Sequence, residues 1–135
     1  MAIVTPVAAS LYAALLGLLA VVLTARVIMN RVRTGIQAGD GGDARLAQAI
    51  RAHANFAEQA PLALLLLALA EAGGTPAGWI HGLGIALLVA RIANAWGLSS
   101  SLGATAPRQA GAGLTIAVVS ATSPKMSIKT VVPPA

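Results

Sequence analysis

From Val7 to Ala25 the chain carries no charged residue, and then Arg26, Arg31 and Arg33 follow within about two helical turns. An apolar run of this length, closed by cations, suits a bilayer, whose hydrocarbon core of about 30 Å needs about 20 apolar residues per helix. A cleaved signal peptide would place its cations ahead of a shorter apolar run, so the order here favours a retained span. With 57% of its 135 residues hydrophobic and 10% charged, the rest of the chain is of the same kind. The length accommodates four spans joined by short loops and leaves no room for a soluble domain. The expected fold is therefore all-α: a single integral membrane four-helix bundle over residues 1–123, with helices near 7–33, 44–72, 76–98 and 107–123. A poorly ordered tail is expected over 124–135.

Turn chemistry sets these boundaries. Gly39-Asp40-Gly41-Gly42-Asp43 reads as a polar loop in which Asp43 can cap the second helix. Pro61 is placed to kink that helix, because it lacks a backbone donor and crowds the carbonyl four residues earlier. Gly73-Gly74-Thr75-Pro76 forms the next turn, with Thr75 as cap and Pro76 opening the third helix. Ser99-Ser100-Ser101-Leu102-Gly103 reads as a short loop, and Pro107 and Arg108 open a fourth helix that is close to the lower limit for a span. Arginines crowd the first and third loops and their flanking helix ends, so the positive-inside rule assigns both loops to the cytoplasm.

The second helix contains an anomaly. Arg51, Asn55 and Glu58 precede the oily run Leu62-Ala-Leu-Leu-Leu-Leu-Ala-Leu and fall within roughly 60° of one another on a 3.6-residue helix. A charge at bilayer depth costs about 2.5–3.5 kcal/mol on insertion scales, so such residues face a bundle interior and mark a functional site. The competing structural reading is a network with neighbouring helices. Arg26, Asn30 and Arg33 repeat the same spacing on the first helix, where topology and lipid headgroups also account for arginines. Arg26, Arg31, Arg33, Arg45, Arg51, Arg91 and Arg108 outnumber Asp40, Asp43 and Glu58 on the arginine-rich side. That imbalance suits an anionic ligand, and two carboxylates with one ammonium would engage arginine forks and Glu58. Glutathione has this constitution, and an arginine near its sulfur would raise the thiolate fraction.

Other chemistries find less support. No cysteine is present, which excludes disulfides and cysteine nucleophiles. His53 lies on the far side of its helix from the stripe, and His81 belongs to the other end of the bundle, so no metal site is expected. Trp79 and Trp96 fall near opposite ends of the third helix, as interfacial anchors do. Gly82, Gly84, Gly111 and Gly113 suit close helix packing. No phosphate loop, nucleophile elbow or nucleic-acid module is present.

Arg51-Ala-His53-Ala-Asn55-Phe-Ala-Glu58-Gln-Ala-Pro61, with Arg31-Val-Arg33, Gly39-Asp40-Gly41, Glu71, His81-Gly82-Leu-Gly84 and Arg91-Ile-Ala-Asn94-Ala-Trp-Gly97-Leu98, resembles the MAPEG family. These are membrane-associated proteins in eicosanoid and glutathione metabolism, and the likeness is to their small bacterial branch, over about residues 10 to 120. The resemblance implies a homotrimer of four-helix subunits with glutathione bound between subunits on the cytoplasmic side. It assigns Arg51, Asn55 and Glu58 to glutathione and adds Arg31 or the neighbouring Arg33 from the first helix; Arg91, one of the arginines on the charged side, is a further candidate contact. Arg108 takes the position of the arginine that stabilises the thiolate. Where the family's enzymes present tyrosines near the end of the third helix, this chain has Trp96 and Leu98.

Three functions follow for comparison. One is a glutathione transferase or peroxidase-like enzyme acting on hydrophobic electrophiles that enter from membrane lipid. A second is a non-catalytic member that binds lipid or glutathione, which the missing tyrosines favour. The third, a small transporter using Glu58, is disfavoured because arginines outnumber that carboxylate.

Overall fold

The computed structural model describes residues 5–100 and 106–122, and the expected tail lies outside them. The described residues form α1 (Val7–Thr34), α2 (Ala44–Ala72), α3 (Ala77–Ser100) and α4 (Ala106–Thr122), with no strand among them. α2 and α3 each touch all the other helices, whereas α1 and α4 do not meet and so occupy opposite corners. The start of α1 meets the end of α2 and the start of α3. The end of α3 meets the start of α4. The helices therefore run up and down in sequence order.

Local chemistry explains the boundaries. Asp43 caps α2 by accepting the Leu46 N–H at 2.8 Å. α2 continues unbroken through Pro61. α3 begins at Ala77, with the Pro76 carbonyl accepting the Ile80 N–H at 3.3 Å. Its other end corrects the expected serine loop, because the helix continues through Ser99 and Ser100. Ser99 Oγ donates to the Ala95 carbonyl at 2.6 Å and Ser100 Oγ to that of Trp96 at 2.9 Å. These bonds to the preceding turn keep short polar side chains within a helix.

The molecule has an apolar exterior. Leu11, Leu18, Val21, Val22, Ile28 and Met29 on α1 and Ile85, Val89 and Ile92 on α3 are exposed. Among the described residues, α1 and α3 are long and apolar enough to cross a membrane, with mean hydropathies of 2.3 and 1.4 over an 18-residue stretch. α4, at 17 residues, spans about 26 Å at 1.5 Å per residue. Lipid tails are as apolar as leucine, so association within a bilayer depends on close packing and polar bonds. Ala49, Ala52, Ala60 and Ala63 give α2 a small-residue seam. At Gly84 a Cβ would lie 2.3 Å from the Tyr12 ring, and at Gly111 it would lie 2.5 Å from the Ala90 carbonyl oxygen. Gly82 and Gly113 have open space instead, so close packing uses two of the four expected glycines.

Candidate functional site

Arg91 is the hub of the bundle interior. Its side chain extends from α3 and is 1% exposed. Nη1 donates to Asn55 Oδ1 at 3.1 Å, while Nη2 donates to the Gly111 carbonyl at 3.2 Å and to Thr115 Oγ at 2.6 Å. Three helices are thus tied by one guanidinium, and the absence of a side chain at Gly111 lets α4 come near enough for its carbonyl to accept. The Arg91 Nε has no hydrogen-bond partner, and no carboxylate pairs with the guanidinium among the described residues. Asn94, one turn along α3, donates from Nδ2 to the Arg108 carbonyl at 3.1 Å and fixes the start of α4.

Above this network lies a pocket of about 360 Å³ lined by Asp40, Ala47, Ile50, Arg51, Leu98 and Arg108. It unites two of the expected site residues, Arg51 and Arg108, with the tip of the first loop. Arg31 shapes that loop: its Nη1 donates to the carbonyls of Ile36, Gln37 and Gly39 at 3.1, 3.0 and 3.2 Å. Its observed contacts therefore lie in the loop bearing Asp40. Arg33 pairs with Asp43 at 2.8 Å and also reaches Asn30, whose amide donates to the Arg26 carbonyl. Arg26 in turn bonds Ser99 across the bundle. The Leu46 amide and then the Arg33 guanidinium hold the Asp43 carboxyl below its ordinary value of 3.8.

The α2 stripe divides. Asn55 is half-buried and turned to Arg91, whereas Arg51 and Glu58 remain exposed. Neither Arg51 nor Glu58 forms an ion pair among the described residues, so no network within those residues consumes the charges on this face. Because Asn55 Oδ1 accepts from Arg91, its Nδ2 is left to donate elsewhere. About one turn deeper, Glu58 borders a groove of about 240 Å³ between α2 and α4, with Leu62, Thr115, Ile116 and Val119. Sequence reasoning missed Thr115. Its signal was the four-residue spacing from Gly111, which sets a hydroxyl and a bare backbone on one face of α4.

The opposite end of the bundle holds a separate polar group. Glu71 is 7% exposed and accepts the Ala8 and Ala9 N–H groups at 2.9 and 2.7 Å, capping α1 from a different helix. Tyr12, also buried, places its hydroxyl 3.0 Å from His81 Nδ1 and 3.1 Å from the His81 carbonyl. The only tyrosine of the chain thus lies away from the arginines.

An all-helical membrane protein with a buried guanidinium hub beneath an arginine-lined pocket is the class that fold and site define. Within that class, the chain belongs to the MAPEG family, whose profile matches residues 9–123. It is similar to the inner membrane protein YecN of Escherichia coli strain K12, with 34% identity over 93 residues that cover 69% of this chain and 71% of the relative. YecN of Escherichia coli O6:H1 gives the same identity and coverage. No solved structure matches the chain.

Proposed function

We propose that the protein is a glutathione-dependent transferase or peroxidase-like enzyme of a bacterial inner membrane, acting as a homotrimer on hydrophobic electrophiles delivered from lipid. The observation that carries this reading is the meeting of Arg51 and Arg108 in one pocket. Two guanidiniums there favour a ligand with carboxylates, and Glu58, on the same α2 face, suits its ammonium. Asn55 supplies a donor whose direction Arg91 sets. Arg91 is a positioning residue in this scheme, while Arg31 supports the loop over the pocket.

Arg108 would hold the glutathione sulfur as thiolate by favouring its charged form. The thiolate electron pair then forms a carbon–sulfur bond as the leaving group departs with the bonding pair. Exposed Arg51 and Glu58 support the trimer, since charges beside hydrocarbon are costly and an adjoining subunit would remove them from lipid. The relatives' membrane location supports the inner membrane assignment.

Turnover of an aryl halide tests the role of Arg108. Arg108→Ala should lower kcat by about a hundredfold with little change in glutathione affinity, the signature of a contact made in the transition state. An unchanged rate contradicts that role. The non-catalytic reading rests on Trp96 and Leu98 standing where enzymes of the family carry tyrosines. Glutathione binding without turnover of aryl halides or lipid hydroperoxides would select it.

A further inference from the structure

The end of the bundle remote from the arginines contains a pocket of about 280 Å³ lined by Val7, Ala8, Leu11, Glu71, Ala77 and His81. We infer that it binds the primary ammonium headgroup of a membrane lipid, with Glu71 and His81 accepting its N–H groups.

The Tyr12 hydroxyl has one proton but lies within bonding distance of both His81 Nδ1 and the His81 carbonyl. Both bonds form together when Nδ1 carries a hydrogen and donates to the Tyr12 oxygen, while that hydroxyl donates to the carbonyl. The uncharged imidazole then bears its lone pair on Nε2. The Tyr12 ring meets His81 edge-on at 5.8 Å and 67°, which fixes the imidazole plane. His81 is exposed, so Nε2 is an available acceptor.

Glu71 supplies the second acceptor. Each carboxylate oxygen takes one backbone N–H from α1 and retains a further lone-pair position. The positive end of α1 offsets only about half a unit of charge. Residues 5–25 and 59–90 contain no lysine or arginine, so Glu71 is the sole full charge on these described segments. Two acceptors with a net negative charge suit a cation rich in N–H donors. Among the described residues no group of three metal-ligating side chains exists, so an organic ammonium fits the donor set better than a metal ion.

The walls identify the rest of the ligand. Val7 is 69% and Leu11 50% exposed, and both stand on a helix long and apolar enough to span. Trp79, in the first turn of α3, is exposed at the same end, as interfacial aromatics are. A headgroup held by Glu71 and His81 would lay its acyl chains along the apolar face of α1.

The test is the thermal unfolding midpoint in micelles doped with phosphatidylethanolamine, phosphatidylcholine or phosphatidylglycerol. Phosphatidylcholine keeps the positive charge but has no N–H donor, and phosphatidylglycerol has no amine. Phosphatidylethanolamine should raise the midpoint at concentrations about tenfold lower than either of the others. Free ethanolamine should leave it unchanged. Glu71→Gln should remove this preference, and so should Ala77→Lys, which brings a tethered ammonium to the pocket and leaves the Glu71 side chain in place. Equal responses to the three lipids, an equal response to free ethanolamine, or a preference surviving in both variants would overturn the assignment.

Discussion

At the scale of single residues, the account depends on polar groups held where lipid or protein offers no water. Thr115→Val keeps the side-chain shape but removes an acceptor from Arg91. It should destabilise the fold by about 1–3 kcal/mol, the cost of a buried donor left unsatisfied. A denaturant midpoint unchanged from wild type would show that the bond has no net worth. Gly111→Val should be at least as damaging, because its Cβ would sit 2.5 Å from a backbone oxygen that cannot swing away. The same measurement checks both substitutions. Sequence periodicity could not separate these roles. It put Arg51, Asn55 and Glu58 in one stripe, and the roughly 60° width of that stripe straddles the edge of the packed face. Only the placement of Arg91 and α4 decides that Asn55 turns inward while its neighbours stay exposed.

At the scale of elements, two caps hold the ends of helices by different means. Asp43 caps α2 from the adjoining residue, and the sequence showed this because an acidic residue follows a glycine-rich turn. Its carboxyl is held below 3.8 in the folded protein, so its stabilisation is present above that value and is lost as the pH falls through the lower folded value. Thermal unfolding followed between pH 6 and about 2 should therefore show a weaker acid dependence in Asp43→Asn, which keeps a cap acceptor and loses the Arg33 pair. Identical acid profiles would contradict this linkage. Glu71 caps α1 from a helix more than 60 residues away in sequence, and no local pattern announces such a partner. Glu71→Ala should speed hydrogen exchange of the Ala8 and Ala9 amides by about tenfold or more, given charge-assisted bonds worth about 1.5–3 kcal/mol. Unchanged exchange would mean that the first turn of α1 is held by packing alone. The extension of α3 through Ser99 and Ser100 had a similar cause: serine suggests a loop, but its hydroxyl can bond the preceding turn of a helix.

At the scale of the whole molecule, the helices were legible because apolar runs and turn residues are local signals, and the family was legible in the α2 motif and the residues around it. The arrangement of helices was not, since α1 and α4 at opposite corners follow from packing between segments distant in sequence. The same limit applies to Arg91. Sequence marks it as a candidate ligand contact because it is an arginine on the charged side, whereas its bonds to Asn55, Gly111 and Thr115 depend on how α2 and α4 pack around α3. The proposed trimer would cover Arg51 and Glu58, which are exposed on α2, and Arg108 lines the same pocket as Arg51. The most direct measurement of this account is a calorimetric titration of the detergent-solubilised protein with glutathione, repeated on Glu58→Gln. The account predicts saturable binding by the wild type, weakened at least about tenfold in the variant through loss of the charge-assisted bond to the ammonium. No binding by the wild type, or equal affinity in the two proteins, would contradict it.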